Sequence, residues 1–260
     1  MQALLNTAVK AARKGGDTAL RYLNRLGSIE VHSKSRNEYV TQVDHAAEAA
    51  IIDSIRERYP SHGFLAEESG QHRGDEFVWI IDPLDGTTNF LHGFPVFSVS
   101  IALRLREQLE VGVVYDPCRQ ELFTAIRGGG AQLDGRRIRV SAQAGLEGAL
   151  IGTGFPYRSN QQWLPQYMNM LRAVMEATAG VRRPGSAALD LCYVAAGRLD
   201  GFWEFGLHPW DIAAGSLMIR EAGGLVTSLT PGGDHLETGN VLAGAPKVHG
   251  ALKELLTPHL

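Results

Sequence analysis

Apolar residues in the N-terminal part of the chain recur at the spacing of amphipathic helices. Two such runs cover residues 2–26 and 43–58, and within each run the apolar positions lie three or four residues apart. Gly15-Gly16 interrupts the first run, and a bend would fall there. The polar segment Lys34–Asp44 is predicted to be a connection between the two helices.

In the middle of the chain the hydrophobic period changes to two. Val96–Leu105, Leu109–Asp116 and Glu121–Ile126 are rich in β-branched residues and are separated by short polar turns. This pattern is typical of consecutive antiparallel strands. It therefore predicts an antiparallel meander.

After a change of composition near Ser141–Gly148, strands and helices alternate again. The predicted strands are Leu150–Phe155, Asp200–Phe205, Leu225–Leu229 and Asn240–Ala243, and the predicted helices are Gln161–Ala179, Gly185–Gly197, Ile212–Ala222 and Pro246–Leu256. We therefore expect an α/β protein with two subdomains, residues 1–140 and residues 141–260.

Composition narrows the functional class. The 260 residues are 44% hydrophobic and 20% charged, which is ordinary for a globular protein, and the net charge of −3 favours neither nucleic-acid nor membrane binding. We find no apolar run of transmembrane length and no signal peptide at the first residues. With only Cys118 and Cys192, a disulfide framework is not indicated, and we expect a cytoplasmic location.

The stretch Trp79–Phe90, which reads W-I-I-D-P-L-D-G-T-T-N-F, carries the most chemistry. A buried strand delivers Asp82 and Asp85, and Pro83 is predicted to end that strand. The following Gly-Thr-Thr begins a helix whose first N–H groups can hold an anion. Each part alone is an ordinary cap, turn or helix start, but the joint string is specific for a site that binds cations and phosphate.

Other acids stand at similar places. Glu67 follows a predicted strand, Asp44 and Asp211 begin predicted helices, and Glu204 lies on a strand. Taken singly, an acid placed like Glu67 is most often part of a solvated turn, and acids placed like Asp44 and Asp211 are most often helix caps. If Glu67 and Asp211 converge with the two aspartates of the central motif, about −4 of charge meets in one pocket and requires about two divalent cations. A ligand set made only of oxygen favours Mg²⁺ or Mn²⁺.

Several motifs together resemble one enzyme family. They are Glu67-Glu68-Ser69, the string Asp82–Asn89, Gly185-Ser186-Ala187-Ala188-Leu189-Asp190, Asp200–Glu204, and Trp210-Asp211 with Gly223-Gly224. Over nearly the whole chain the sequence resembles the inositol monophosphatases of the lithium-sensitive, Mg²⁺-dependent phosphatase superfamily, and it looks closest to their bacterial SuhB type. The resemblance implies a five-layer αβαβα sandwich, shared with the fructose-1,6-bisphosphatases, and a homodimer.

The resemblance also implies roles for individual residues. It implies a first metal at Glu67, Asp82 and the Leu84 carbonyl, and a second at Asp82, Asp85 and Asp211. The N–H groups of Gly86 and Thr87 would bind the phosphate, and the pair Thr87–Asp44 would position the attacking water. The polyol would bind in a pocket formed by Gly185, Ser186, Ala187, Glu204 and Asp211. Residues 1–140 would thus supply most metal ligands, and residues 141–260 would supply Asp211 and the polyol pocket. Two Mg²⁺ ions are implied, with a third near Glu67, Mn²⁺ as a substitute and Li⁺ as an inhibitor. Glu38 departs from the family, which commonly has Asp there.

The predicted function is hydrolysis of myo-inositol 1-phosphate and related polyol phosphates. The T-T-N-F ending favours inositol phosphates over fructose 1,6-bisphosphate, while histidinol phosphate stays open. The alternative from another class is an adaptor in transcription antitermination complexes that contacts RNA polymerase and Nus factors. Arg182-Arg183 and Arg136–Arg139 are the basic clusters that could serve such contacts.

Overall fold

The computed structural model describes residues 1–23, 25–26, 31–35, 38–156 and 161–260. Its helices are α1 Gln2–Leu23, α2 Gln42–Arg56, α3 Thr87–Leu91, α4 Leu164–Ala177, α5 Ala187–Ala195, α6 Pro209–Glu221, α7 His235–Thr238 and α8 Pro246–Leu256. Short 3₁₀ turns cover Gln161–Trp163 and Thr257–His259. Among the helices of these ranges, none combines the length and the apolar character that a bilayer span requires.

The strands form three sheets. They are β1 Val31–Ser35, β2 Glu38–Thr41, β3 Gly63–Ala66, β4 Gly70–His72, β5 Phe77–Asp85, β6 Ser98–Leu105, β7 Gln108–Asp116, β8 Glu121–Ile126, β9 Gly130–Leu133, β10 Arg136–Arg137, β11 Leu150–Thr153, β12 Gly180–Arg182, β13 Gly201–Glu204, β14 Leu225–Ser228 and β15 Val241–Gly244. β1 pairs with β2, the central sheet has the order β10-β9-β8-β7-β6-β5-β3-β4, and the last has the order β12-β11-β13-β15-β14. The antiparallel meander predicted for β6 to β8 is confirmed.

Helices and the two large sheets stack in five layers. α1 and α2 cover one face of the eight-stranded sheet, α5 and α6 lie between the sheets, and α4 and α8 cover the outer face of the five-stranded sheet. Successive side chains of β5 point to opposite faces of the sheet and so contact both helix layers. Trp79 and Ile81 pack towards α1 and α2, while Ile80 packs towards α5 and α6. The αβαβα sandwich expected from the resemblance is therefore the observed fold.

α1 runs through the two glycines that interrupt its apolar pattern. A Cβ atom on Gly15 would come 2.7 Å from Ile51 Cδ1, and one on Gly16 would come 2.7 Å from the Tyr115 ring. The missing side chains therefore let α1 lie close to α2 on one side and to β7 on the other. Close packing outweighs the low helix propensity of glycine at these positions.

Two local predictions are wrong. β5 does not stop at Pro83 but continues to Asp85, with one extra residue opposite β6, since Asp82 pairs with Ser100 and Asp85 pairs with Ser98. The bulge accommodates Pro83, because a residue at a bulge need not donate a hydrogen bond to the neighbouring strand. The polar segment Lys34–Asp44, predicted as a connection, instead contributes to the β1–β2 hairpin and to the start of α2.

The strands of the eight-stranded sheet end at Arg137, and those of the five-stranded sheet begin at Leu150. α5 and α6, however, contribute to one continuous core that also contains residues of both sheets. The division into subdomains 1–140 and 141–260 stays a prediction.

Stability should depend on the protonation of His235. This residue of α7 is buried, and its Nε2 lies 3.1 Å from Ser216 Oγ of α6. Burial and the charge of Arg220 lower the pKa of His235 to about 4, against the opposing charge of Asp234. Because the folded-state pKa lies below the ordinary 6.5, the unfolded chain binds the proton more readily. The free energy of unfolding should therefore fall by up to about 3 kcal/mol as the pH drops from 6.5 towards 4.

Urea denaturation of the wild type and of His235→Gln between pH 7 and pH 4.5 measures this dependence. Glutamine does not titrate, so the variant should lose this part of the pH slope. An identical slope in both proteins would refute the assignment.

Candidate active site

Three aspartates converge where β5 ends and α6 begins. Asp82, Asp85 and Asp211 are largely buried, and each offers one carboxylate oxygen within 4.8 Å of the others. The bulge turns both β5 acids towards α6. Ser100, the β6 partner of Asp82, donates its hydroxyl to the Trp210 carbonyl at 3.1 Å and so fastens the start of α6 beside β5.

Each aspartate is held by backbone or hydroxyl donors. The Leu84 N–H donates to Asp82 at 2.9 Å, and the His208 N–H donates to Asp211 at 2.7 Å. Asp85 accepts from the Ser186 hydroxyl at 2.5 Å and from the Ala188 N–H at 2.8 Å. These bonds fix the orientation of the carboxylates before any ligand arrives.

The carboxylates repel one another. Burial raises the pKa of Asp82 well above its usual range, and the charges of Glu67, Asp85 and Asp211 raise it further. Such a group of acids stays ionised only with nearby positive charge. Because the donors are carboxylate oxygens at short mutual distance, the residues fit a hard divalent cation such as Mg²⁺.

Glu67 follows β3, which pairs in parallel with β5, and its N–H donates to the Ile81 carbonyl at 3.1 Å. It stands outside the three-aspartate cluster, but its charge acts on Asp82. The turn after it is held by Glu48 of α2, whose buried carboxylate accepts from the N–H groups of Glu68 and Ser69 at 2.8 and 2.9 Å. Sequence reasoning missed Glu48, although it lies four residues after Asp44 on the same helix face.

Asp44 is not the N-cap of α2. Thr41 is the N-cap, and Asp44 is the third helical residue, whose Oδ2 accepts from the Thr41 N–H and hydroxyl at 2.8 and 2.6 Å. Its Oδ1 accepts from the Thr87 hydroxyl at 3.0 Å, and that hydroxyl also lies 3.1 Å from the Leu84 carbonyl. Burial raises the pKa of Asp44. The structure thus brings together Asp44, Thr87 and the Leu84 carbonyl.

Gly86 occupies a position that only glycine fits. Its φ is +98°, and an added Cβ would come 2.9 Å from the Val96 carbonyl and 3.2 Å from the Gly185 carbonyl. Asn89 strengthens this contact, because its Nδ2 donates at 2.8 Å to the carbonyls of both Val96 and Pro184. The start of α3 is therefore pressed against the chain segment that precedes α5.

The predicted polyol residues line one cleft with two of the aspartates. This cleft contains Gly185, Ser186, Ala187 and Glu204, together with Asp85 and Asp211. Glu204 lies against Gly154, where any side chain would overlap its carboxylate. Sequence reasoning did not assign the further lining residues Gly154, Phe155, Arg183 and Asp190 to the site.

The sequence analysis also singled out two basic clusters and Glu38. Arg136 and Arg137 form the short exposed edge strand β10, and Arg182 is exposed at the end of β12. The side chain of Glu38 lies outside the described residues, as does the backbone of residues 36–37.

Comparisons with known proteins agree over the full length. The model of the inositol monophosphatase family matches residues 1–260. The chain is 52% identical to Nus factor SuhB of Pseudomonas aeruginosa, over 100% of this chain and 98% of the relative. It is 51% identical to Nus factor SuhB of Escherichia coli (strain K12), over 97% of this chain and 95% of the relative. The crystal structure of extragenic suppressor protein suhB from Bartonella henselae superposes with a TM-score of 0.96 at 45% identity, covering 99% of this chain and 100% of that one. The structure of inositol monophosphatase from Anabaena superposes with a TM-score of 0.87 at 40% sequence identity, covering 99% of this chain and 96% of that one.

The Thr87 hydroxyl should contribute measurably to stability. In Thr87→Val the buried Asp44 Oδ1 loses this donor, so the free energy of unfolding should fall by about 1–3 kcal/mol. Thr87→Ser keeps the hydroxyl and should lose less. Urea denaturation of the three proteins in metal-free buffer measures the difference, and equal stability of Thr87→Val and wild type would contradict it.

Proposed function

The chain belongs to the inositol monophosphatase family, and we propose that it is a Mg²⁺-dependent phosphomonoesterase that hydrolyses myo-inositol 1-phosphate and related polyol phosphates. The observation that carries this proposal is the convergence of Asp82, Asp85 and Asp211 beside the start of α3, where the Thr87–Asp44 pair lies. Carboxylates for cations, N–H groups for phosphate and a polar cleft for the alcohol then share one site.

The proposed metal ligands are those that the family resemblance implies. Glu67, Asp82 and the Leu84 carbonyl would hold one Mg²⁺, Asp82, Asp85 and Asp211 would hold a second, and a third, bridged by water, would lie near Glu67. When bound, the cations supply positive charge that activates water, neutralises the phosphate and stabilises the departing alcohol oxygen. Mn²⁺ could replace Mg²⁺.

The remaining residues act on substrate and water. The backbone N–H groups of Gly86 and Thr87 hold the phosphate, as N–H groups do at other helix starts. The Thr87 hydroxyl donates to Asp44 and can at the same time accept a hydrogen bond from the attacking water, which orients that water and draws its proton towards Asp44. The alcohol is held by Gly185, Ser186, Ala187 and Glu204. As the water oxygen bonds to phosphorus, the bond between phosphorus and the alcohol oxygen breaks.

Phosphate release tests the proposal directly. Myo-inositol 1-phosphate would be compared with fructose 1,6-bisphosphate, adenosine 3′,5′-bisphosphate and histidinol phosphate, with Mg²⁺ and with or without Li⁺. Selective turnover of the inositol ester that Li⁺ inhibits is the expected result. Preference for histidinol phosphate or for fructose 1,6-bisphosphate would assign one of those substrates instead.

Loss of a proposed metal ligand should nearly abolish turnover. Asp82→Asn and Asp211→Asn each remove a carboxylate from the cluster, so kcat should fall by at least ~10³-fold. Asp53→Asn makes the same change on the exposed face of α2 and serves as the control. Near-wild-type kcat in either cluster variant would refute the ligand assignment.

A second candidate function is an adaptor role in transcription antitermination, which would require contacts with RNA polymerase and Nus factors. The observation in its favour is that full-length relatives at 51–52% identity carry the name Nus factor SuhB. The exposed pair Arg136-Arg137 offers a basic edge for such contacts. We also propose a homodimer, as the family resemblance implies, which sedimentation of the purified protein would test. The cytoplasmic location that the low cysteine content suggests stays a proposal.

The two functions should be separable. Asp82→Asn is expected to bind purified RNA polymerase and Nus factors with the Kd of the wild type while its turnover is lost, because Asp82 is buried. Arg136→Glu with Arg137→Glu should show the reverse pattern. Surface plasmon resonance measures the binding, and a wild-type protein that binds none of these factors would exclude the adaptor role.

A further inference from the structure

Asp190 is a buried acid that the proposed mechanism does not use. It lies in the first turn of α5, where its N–H donates to the Ser186 carbonyl at 3.0 Å. Its side chain is 1% exposed, and among the described residues its Oδ1 has no hydrogen-bond partner. Leaving a buried carboxyl oxygen unpaired costs free energy, so such an atom indicates a ligand or an ordered water.

Asp190 lies at the end of the cleft that we propose for the alcohol. Asp190 lines the same cleft as Glu204, Arg183, Asp85 and Asp211. Gly154, just after β11, faces Glu204, and a Cβ on Gly154 would overlap the Glu204 carboxylate. The absence of a side chain on Gly154 therefore leaves room for this carboxyl group.

We propose that Asp190 and Glu204 together form a hydroxyl-binding floor of the cleft, and that Asp190 makes the site specific for leaving alcohols that carry further hydroxyl groups. This proposal rests on the proposed phosphatase function. A site built to bond a substrate hydroxyl discriminates strongly against analogues that lack it, because its own polar groups then stay unpaired.

The surroundings of Asp190 favour its protonated form. Burial raises the pKa of Asp190 well above its usual range, the charges of Glu204 and Asp85 raise it further, and the charge of Arg183 opposes them. A protonated carboxyl both donates and accepts hydrogen bonds, as a hydroxyl does.

The test compares two esters in variants of Asp190. Asp190→Leu removes the polar atoms at similar volume, and Asp190→Asn keeps one donor and one acceptor group. Myo-inositol 1-phosphate is compared with phenyl phosphate, whose leaving group has no further hydroxyl. In Asp190→Leu, kcat/KM for the inositol ester should fall at least about tenfold more than for phenyl phosphate, mainly through KM, and Asp190→Asn should recover part of the loss.

Calorimetry of myo-inositol binding gives a second readout that needs no turnover. The wild type should bind the polyol, and Asp190→Leu should bind it at least about tenfold more weakly. Circular dichroism melting confirms that each variant is folded, and Asp53→Asn is the matched surface control.

The outcomes separate this inference from the proposed function. Equal losses for both esters would show that Asp190 only supports the fold, and unchanged kinetics would show that water satisfies it; either result overturns the inference. If the wild type hydrolyses neither ester, the phosphatase proposal fails and calorimetry decides. Binding of myo-inositol by the wild type but not by Asp190→Leu then supports the hydroxyl site, and equal binding or none overturns it.

Discussion

Mutual repulsion of buried carboxylates at the end of β5 is the constraint on which the rest of the site depends. Asp82, Asp85 and Asp211 lie within one another's reach, and burial together with neighbouring charge opposes ionisation of Asp82. The fold maintains this unfavourable arrangement with a strand bulge and with fixed donors to each acid. A hydrophobic core on both faces of β5 provides the stability that offsets it.

The same constraint explains the short contacts around α3. Gly86 and Asn89 hold the start of α3 against the segment before α5, and Asp85 reaches across to Ser186 and Ala188. These contacts join the acid cluster directly to the cleft that we propose for the alcohol, so a shift of α5 would move a donor of Asp85. Such coupling is the physical basis on which we place phosphate and alcohol in a single site.

At the far end of the cleft, Oδ1 of Asp190 is buried and has no hydrogen-bond partner among the described residues. Glu204 occupies space that Gly154 leaves open. In the proposed reaction the metal ligands would serve any phosphate ester, so the choice among esters would depend on this end of the cleft. Full-length relatives carry the name Nus factor SuhB, on which the second proposed role is based.

The sequence by itself determined the family, the alternation of helices and strands, and the aspartates of the central motif, because these depend on local periodicity and on a contiguous string. It misjudged Pro83, since a bulge is decided by the partner strand β6. It predicted the contact between Asp44 and Thr87, which is present, although Thr41 rather than Asp44 caps α2. Only the tertiary structure decided that Glu48 holds the turn after Glu67 and that Ser100 anchors the start of α6. It also decided that, among the described residues, Oδ1 of Asp190 has no hydrogen-bond partner. These contacts join residues far apart in the chain, and the distance between such residues is set by packing of the layers rather than by any local pattern.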